Sequence, residues 1–159
     1  MTGRLQRELK KKQPFSSLEQ EAILNLVRTS DRLRIRFERL FRTHGLTDAQ
    51  YNVLRILRGE GKPLPILEIA QRTVTVVPGI TGLIDRLERA GLVRRRRCTQ
   101  DRRVVYVEIT ARALGALADL DQPLLALHRD VATPLTRDEL RELNRLLEKL
   151  RPREEGELP

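Results

Sequence analysis

Six arginines fall between positions 94 and 103: Arg94, Arg95, Arg96, Arg97, Arg102 and Arg103, opposed only by Asp101. A guanidinium stays charged at every accessible pH and donates in a planar fork that matches phosphate oxygens, so such a run suits a polyanion partner. An arginine-rich genome raises Arg everywhere, however, and most charge runs are solvated faces; the run alone leaves nucleic-acid binding and a plain solvated face as equal readings. Bond-making chemistry has little to work with. His44, His128 and the single cysteine, Cys98, lie far apart in sequence, and neither a nucleophile-base pair nor a Gly-rich phosphate loop is visible. An enzyme is not expected. One thiol excludes an internal disulfide, and with two histidines it offers no zinc ligand set, so no metal and no cofactor are expected.

The whole chain repeats the cationic bias, with a formal net charge of +9 over 159 residues and a sequence pI of about 10.7. Hydrophobic residues at 40% and charged ones at 33% are too apolar for a disordered polyelectrolyte and too charged for a membrane span. The length suits one core. Residues 1–12 are basic with no apolar segment behind them, which reads as no export signal and a cytoplasmic protein without a membrane partner.

The elements that must position the arginines follow from caps and periodicity. Residues 1–16, with Arg4, Arg7, Lys10, Lys11, Lys12 and Pro14, read as a flexible basic arm. Ser17 and Gln20 form a capping box ahead of an amphipathic helix over 17–44 that ends at Gly45. At 1.5 Å per residue its ~28 residues span ~42 Å, as long as a domain of this size is wide. Its apolar stripe needs either a second chain, hence a homodimer, or a wrapping by its own chain. Thr47 and Gln50 open a short helix stopped by Gly59 and Gly61, and Pro65 to Arg72 forms a third. Val74, Thr75 and Val76 make a turn into a fourth helix, with Pro78 in its first turn and Gly91 at its end. That order is a helix-turn-helix, whose second helix lies in the major groove.

After Gly91 the period changes to alternation: Leu92 to Arg97 and Arg103 to Ile109 make a hairpin with its arginines toward the tip. A positive hairpin behind a helix-turn-helix is a wing, placed to reach phosphates or the minor groove. Thr110 caps a helix from Ala111 toward Arg129, which Pro123 should kink or split. Thr136 and Glu139 box a last helix that Pro152 stops, and residues 153–159 read as a disordered tail. The expected fold class is mainly α with a small β-hairpin wing. A single domain is expected over 17–152.

These pieces, in this order, resemble the MarR family of bacterial winged helix-turn-helix transcription regulators. Three segments carry the resemblance: Gly-Leu-Thr-Asp-Ala-Gln-Tyr-Asn-Val-Leu from Gly45, Ile-Asp-Arg-Leu-Glu-Arg-Ala-Gly-Leu-Val from Ile84, and Asp-Arg-Arg-Val-Val-Tyr-Val-Glu-Ile-Thr from Asp101. It covers Leu18 to about Leu150 and implies dimerisation helices at about 17–44 and 111–151 around a DNA-binding lobe at about 47–110, in a homodimeric regulator, a repressor in the first reading, acting on double-stranded DNA with a two-fold operator. It also implies that Arg103 enters the minor groove while Asp101 braces the wing; Asp101 reads equally well as a turn residue. The candidate DNA contacts are Thr75, Val76, Val77, Pro78, Gly79, Thr81, Gly82 and Arg86 on the reading helix, and Arg97, Arg102 and Arg103 on the wing.

The reading helix departs from the family, whose members place polar or basic residues where this chain has Val77, Pro78, Gly79, Ile80, Thr81 and Gly82. Specificity then rests either on wing and DNA shape or on methyl contacts by Val76, Val77 or the threonines. A sequence-blind architectural or nucleoid protein is the competing function. The resemblance further implies a small aromatic effector near Phe37, Phe41, His44 and Tyr51, residues that equally read as core, with His44 as a helix C-cap. Cys98, beside Arg94 to Arg97, is either an oxidation-sensitive thiolate that weakens DNA binding or an inert strand-end residue.

Overall fold

Thr47 and Thr136 each open a helix where the sequence places one. In both, the hydroxyl accepts the backbone N–H three residues on while that residue's side chain, Gln50 or Glu139, accepts the threonine's own N–H. The computed structural model describes residues 3–98, 101 and 103–151; the tail expected at 153–159 lies outside them. The elements run α1 (Arg4–Glu8), α2 (Leu18–Thr43), α3 (Asp48–Glu60), β1 (Leu64–Pro65), α4 (Ile66–Gln71), α5 (Ile80–Arg89), β2 (Val93–Arg97), β3 (Val105–Ile109), α6 (Ala111–Ala132) and α7 (Arg137–Leu150). The mainly helical class with a hairpin wing is as expected.

The three strands form one antiparallel sheet in the order β1-β3-β2, with Arg95 opposite Val107 and Leu64 opposite Val107 on the other side. The short β1 was not anticipated. Two residues carry no periodicity, and the pairing reaches across more than forty residues of chain. The core between sheet and helices is made by Val53, Leu54 and Leu57 of α3, Ile69 of α4, Leu83, Ile84 and Leu87 of α5, and Leu64, Val93 and Val107 of the strands. Each such side chain contributes about 1.5–3 kcal/mol on burial, which fixes α5 and the hairpin on one base. At the foot of the hairpin the Thr110 hydroxyl donates to the carbonyls of Gly91 (2.8 Å) and Leu92 (3.1 Å) and accepts from Ala113 N–H, tying the wing to the start of α6.

Two expectations need correction. The arm at 1–16 is not free of structure: Arg4–Glu8 is helical, Leu5 is buried, and Arg28 Nε on α2 donates to Glu8 Oε2 at 2.7 Å. A five-residue helix is unstable alone and exists through this docking. Pro123 does not split α6, which is helical on both sides of it; the carbonyl that proline leaves unpaired belongs to Asp119, an exposed residue that water can serve. By its contacts the chain forms two compact units, Met1–Pro123 and Leu124–Pro159. The second unit contains α7, which has no buried residue and exposes Leu143, Leu146 and Leu150 along one side.

Candidate nucleic-acid interface

The reading helix starts later than its sequence suggests. Pro78 lies in the turn rather than in the first helical turn, because Gly79 takes a left-handed conformation (φ +67°) and α5 begins at Ile80. A side chain at position 79 would be strained there, so glycine sets the start. No side chain caps the α5 N-terminus, which leaves its first N–H groups for solvent or an anion. Thr75, Val76, Pro78, Gly79, Thr81 and Arg86 are exposed along this stretch, while Val77 and Gly82 are half-buried. A Cβ placed on Gly82 would stand 3.7 Å from Arg86 Nη1, so the Arg86 guanidinium reaches back along the helix over the glycine.

One arginine of the run is not available to a ligand. Arg95, 24% exposed, pairs through Nη1 with Asp85 and with Glu88 Oε2 (3.1 Å), and donates through Nη2 to the Thr81 carbonyl (3.2 Å). Its backbone N–H also donates to Glu88 Oε1 at 3.0 Å. Strand β2 is thereby fastened to α5 over two helical turns. The sequence reading missed this role, although a signal was present: alternation puts Arg95 on the buried face with Val93, and Asp85 and Glu88 share one side of the helix by their spacing. By contrast Arg94, Arg96, Arg97 and Arg103 are exposed, and among the described residues no partner engages their guanidinium groups.

At the wing tip the Asp101 carboxylate accepts the Arg103 backbone N–H at 2.9 Å, and Val104 N–H donates to the Asp101 carbonyl at 3.1 Å. Cys98, half-buried, closes the neck by donating its N–H to the Val104 carbonyl at 3.0 Å. Arg102 lies outside the described residues.

Three of the four candidate effector residues, Phe37, Phe41 and Tyr51, lie in ring contact with one another, while the His44 ring turns to the Leu40 carbonyl. Phe41 is 2% exposed and stacks on Tyr51 (centroids 4.4 Å apart, 16° between planes), while Phe37 leans on Phe41 at 6.4 Å. Burial pushes the Tyr51 hydroxyl above its ordinary value of 10.0. His44 Nδ1 lies 3.0 Å from the Leu40 carbonyl, which makes it a donor closing the C-terminus of α2. On the other side of the same helix, centred opposite Phe37 and Phe41 at about 100° per residue, an open cleft of about 440 Å³ is lined by Ile35, Glu38, Arg39, Arg42 and Thr43.

A short helix, a turn and a second helix with an exposed front edge, followed by a cationic hairpin fastened to that helix, define a winged helix-turn-helix protein. Residues 46–105 match the family model described as MarR family. A MarR transcription factor structure from Planctomyces limnophilus is 44% identical, with 86% of this chain and 99% of that one covered and a TM-score of 0.66. The homoprotocatechuate degradative operon repressor of Escherichia coli is 28% identical over 112 residues, 70% of this chain and 75% of that protein. The structure of NadR in complex with 4-hydroxyphenylacetate is 25% identical, covering 87% of this chain and 97% of that one, with a TM-score of 0.66. The chain belongs to the MarR family, whose members are DNA-binding transcription regulators and not enzymes. No helix among the described residues is long and apolar enough to cross a membrane.

Proposed function

We propose that this chain is a sequence-specific double-stranded DNA-binding repressor that works in the cytoplasm as a homodimer on a two-fold operator. The observation that carries this reading is the division of roles in the arginine run. Arg95 spends its charge on Asp85 and Glu88, while Arg94, Arg96, Arg97 and Arg103 keep theirs for solvent on the same hairpin. The wing arginines Arg97, Arg102 and Arg103 then meet phosphates and the minor groove, and Thr75 to Gly82 with Arg86 meet the major groove. The dimer is supported by apolar residues left in water on α2, among them Leu18 at 78% and Val27 at 59% exposure, and by the leucine row of α7. A second copy is the partner that buries them.

The releasing signal in this reading is a small aromatic acid. Support comes from the aromatic cluster of Phe37, Phe41 and Tyr51 and from the similar chain NadR, whose structure is a complex with 4-hydroxyphenylacetate. Oxidation at Cys98 is the weaker alternative, since the chain holds no second thiol to resolve a sulfenate.

One observation favours the architectural reading: the exposed front of the reading helix offers only Thr75, Thr81 and Arg86 as side-chain donors. Competition against bulk genomic DNA decides between the two. A repressor retains a subset of fragments and releases them when 4-hydroxyphenylacetate or a related aromatic acid is added; an architectural protein enriches none.

A further inference from the structure

The turn that leads into α5 has an unusual composition for its place. Exposed turns are ordinarily built from Gly, Asn, Asp, Ser and Pro, which either accept special backbone angles or bond to their own chain. Here five β-branched residues stand in succession: Thr73, Val74, Thr75, Val76 and Val77. Thr73 is accounted for locally, its hydroxyl donating to the Ala70 carbonyl at 2.9 Å, and Val77 is half-buried. Val74 and Val76 are not, at 77% and 92% exposure. Packing within the chain therefore does not explain them.

Their surroundings name the occupant. Arg86 lies over Gly82 one helical turn along, and the hairpin fastened to α5 carries the exposed Arg94, Arg96 and Arg97. An apolar protein surface would leave those charges unanswered, whereas a DNA major groove offers phosphate walls and a floor on which one apolar group occurs, the 5-methyl of thymine. β-branched side chains suit such a floor. Their χ1 angles are already restricted, so pressing them against a methyl group costs little rotamer freedom.

We infer that Val76, together with Val74, reads thymine methyl groups in the major groove, so that operator choice at those positions is made by apolar contact rather than by hydrogen bonds. This rests on the DNA-binding function proposed above and adds its specificity rule: A·T pairs with the thymine on the strand facing the turn.

The test begins with selection of duplexes from a random pool by the purified full chain. Each thymine of a selected half-site is then replaced by deoxyuridine, which removes the methyl and nothing else, and affinity is read by fluorescence anisotropy. Loss of about fourfold is expected for each contacted methyl, and about sixteenfold when both half-sites are changed. Val76→Ala should lower that thymine/uracil ratio, with Val76→Thr, which keeps one methyl, in between. Position 76 is too exposed for either change to unfold the chain, and a melting curve verifies this. Arg103→Ala should weaken binding while leaving the ratio unaltered. Tight operators in which no uracil matters, operators without thymine in the protected half-site, or an undiminished ratio in Val76→Ala would overturn the inference and leave DNA binding intact. Failure to retain any duplex would remove both.

Discussion

Arg103 hangs on Asp101 by its backbone: the carboxylate accepts the Arg103 N–H at 2.9 Å, across one intervening residue. Sequence left two roles open for Asp101, and this geometry is that of a turn-forming aspartate which orients the residue carrying the guanidinium. The two roles respond differently to substitution. Asp101→Asn keeps an acceptor oxygen and sheds a negative charge that faces DNA, so affinity should hold or rise. Asp101→Ala loses the acceptor and should lose about 1 kcal/mol, roughly fivefold in affinity. Equal, large losses in both variants would mean that the charge itself matters, by bracing a guanidinium.

Arg95 and Arg103 should fail in distinguishable ways. Removing Arg103 takes away a contact of about 1–3 kcal/mol and lowers the slope of log affinity against log salt by about one. Arg95→Ala leaves that slope unchanged, because its charge already belongs to Asp85 and Glu88. It should still weaken binding, by loosening the wing from α5, and lower the stability of the lobe by about 1 kcal/mol, a figure kept small by the partial exposure of all three groups. Lys11→Ala should do neither, since Lys11 Nζ is occupied by the carbonyls of Gln13 and Pro14. An equal salt slope change for Arg95→Ala and Arg103→Ala would place both on phosphate.

The homodimer makes a prediction about solubility as well as shape. Val27→Asp puts a charge on the exposed stripe of α2, where it costs the isolated chain little but would be buried and unpaired in an interface. Sedimentation should therefore show a dimer for the wild type and a folded monomer for the variant. Footprints of the wild type should carry a dyad with half-sites about 10–10.5 base pairs apart. A wild-type monomer at micromolar concentration would end this reading.

What the sequence disclosed and what it withheld divide by the range of the interaction. Thr47 with Gln50 and Thr136 with Glu139 announce themselves because cap and partner are three residues apart. Ser17 is a half-success: its hydroxyl accepts from Gln20 N–H, but Gln20 Oε1 reaches back one residue further, to Ser16 N–H. The alternation of Val105, Val107 and Ile109 likewise sufficed to find the hairpin. The rest depended on distant partners. Leu5 and Glu8 make a helix only because α2 is beside them, and the pairing of Leu64 with Val107 has no local trace. At the candidate interface the run of arginines was plain, yet which of them is spent internally required the position of Asp85 and Glu88. The exposure of Val76, too, is a property of the turn and not of the residue type.

Acid should unfold the protein through its surface glutamates. Arg28 and Arg4 hold Glu8 below its ordinary value of 4.5, Arg72 and Lys62 do the same for Glu60, and Arg145 does so for Glu142. In each case the folded state favours the carboxylate more than the unfolded chain does. Unfolding therefore takes up protons as the pH falls from that ordinary value toward the lowered one, and the stability these pairs contribute is present above it and lost below. Thermal midpoints should thus be nearly level between about pH 7 and 5 and decline below about pH 4.5. Glu60→Gln, which cannot be protonated further, should show a shallower decline than the wild type, with a lower midpoint at neutral pH. High salt should flatten both curves, because the pairs are exposed. A midpoint that stays constant down to about pH 3.5, or a Glu60→Gln curve parallel to the wild type, would show that these ion pairs leave folding unaffected.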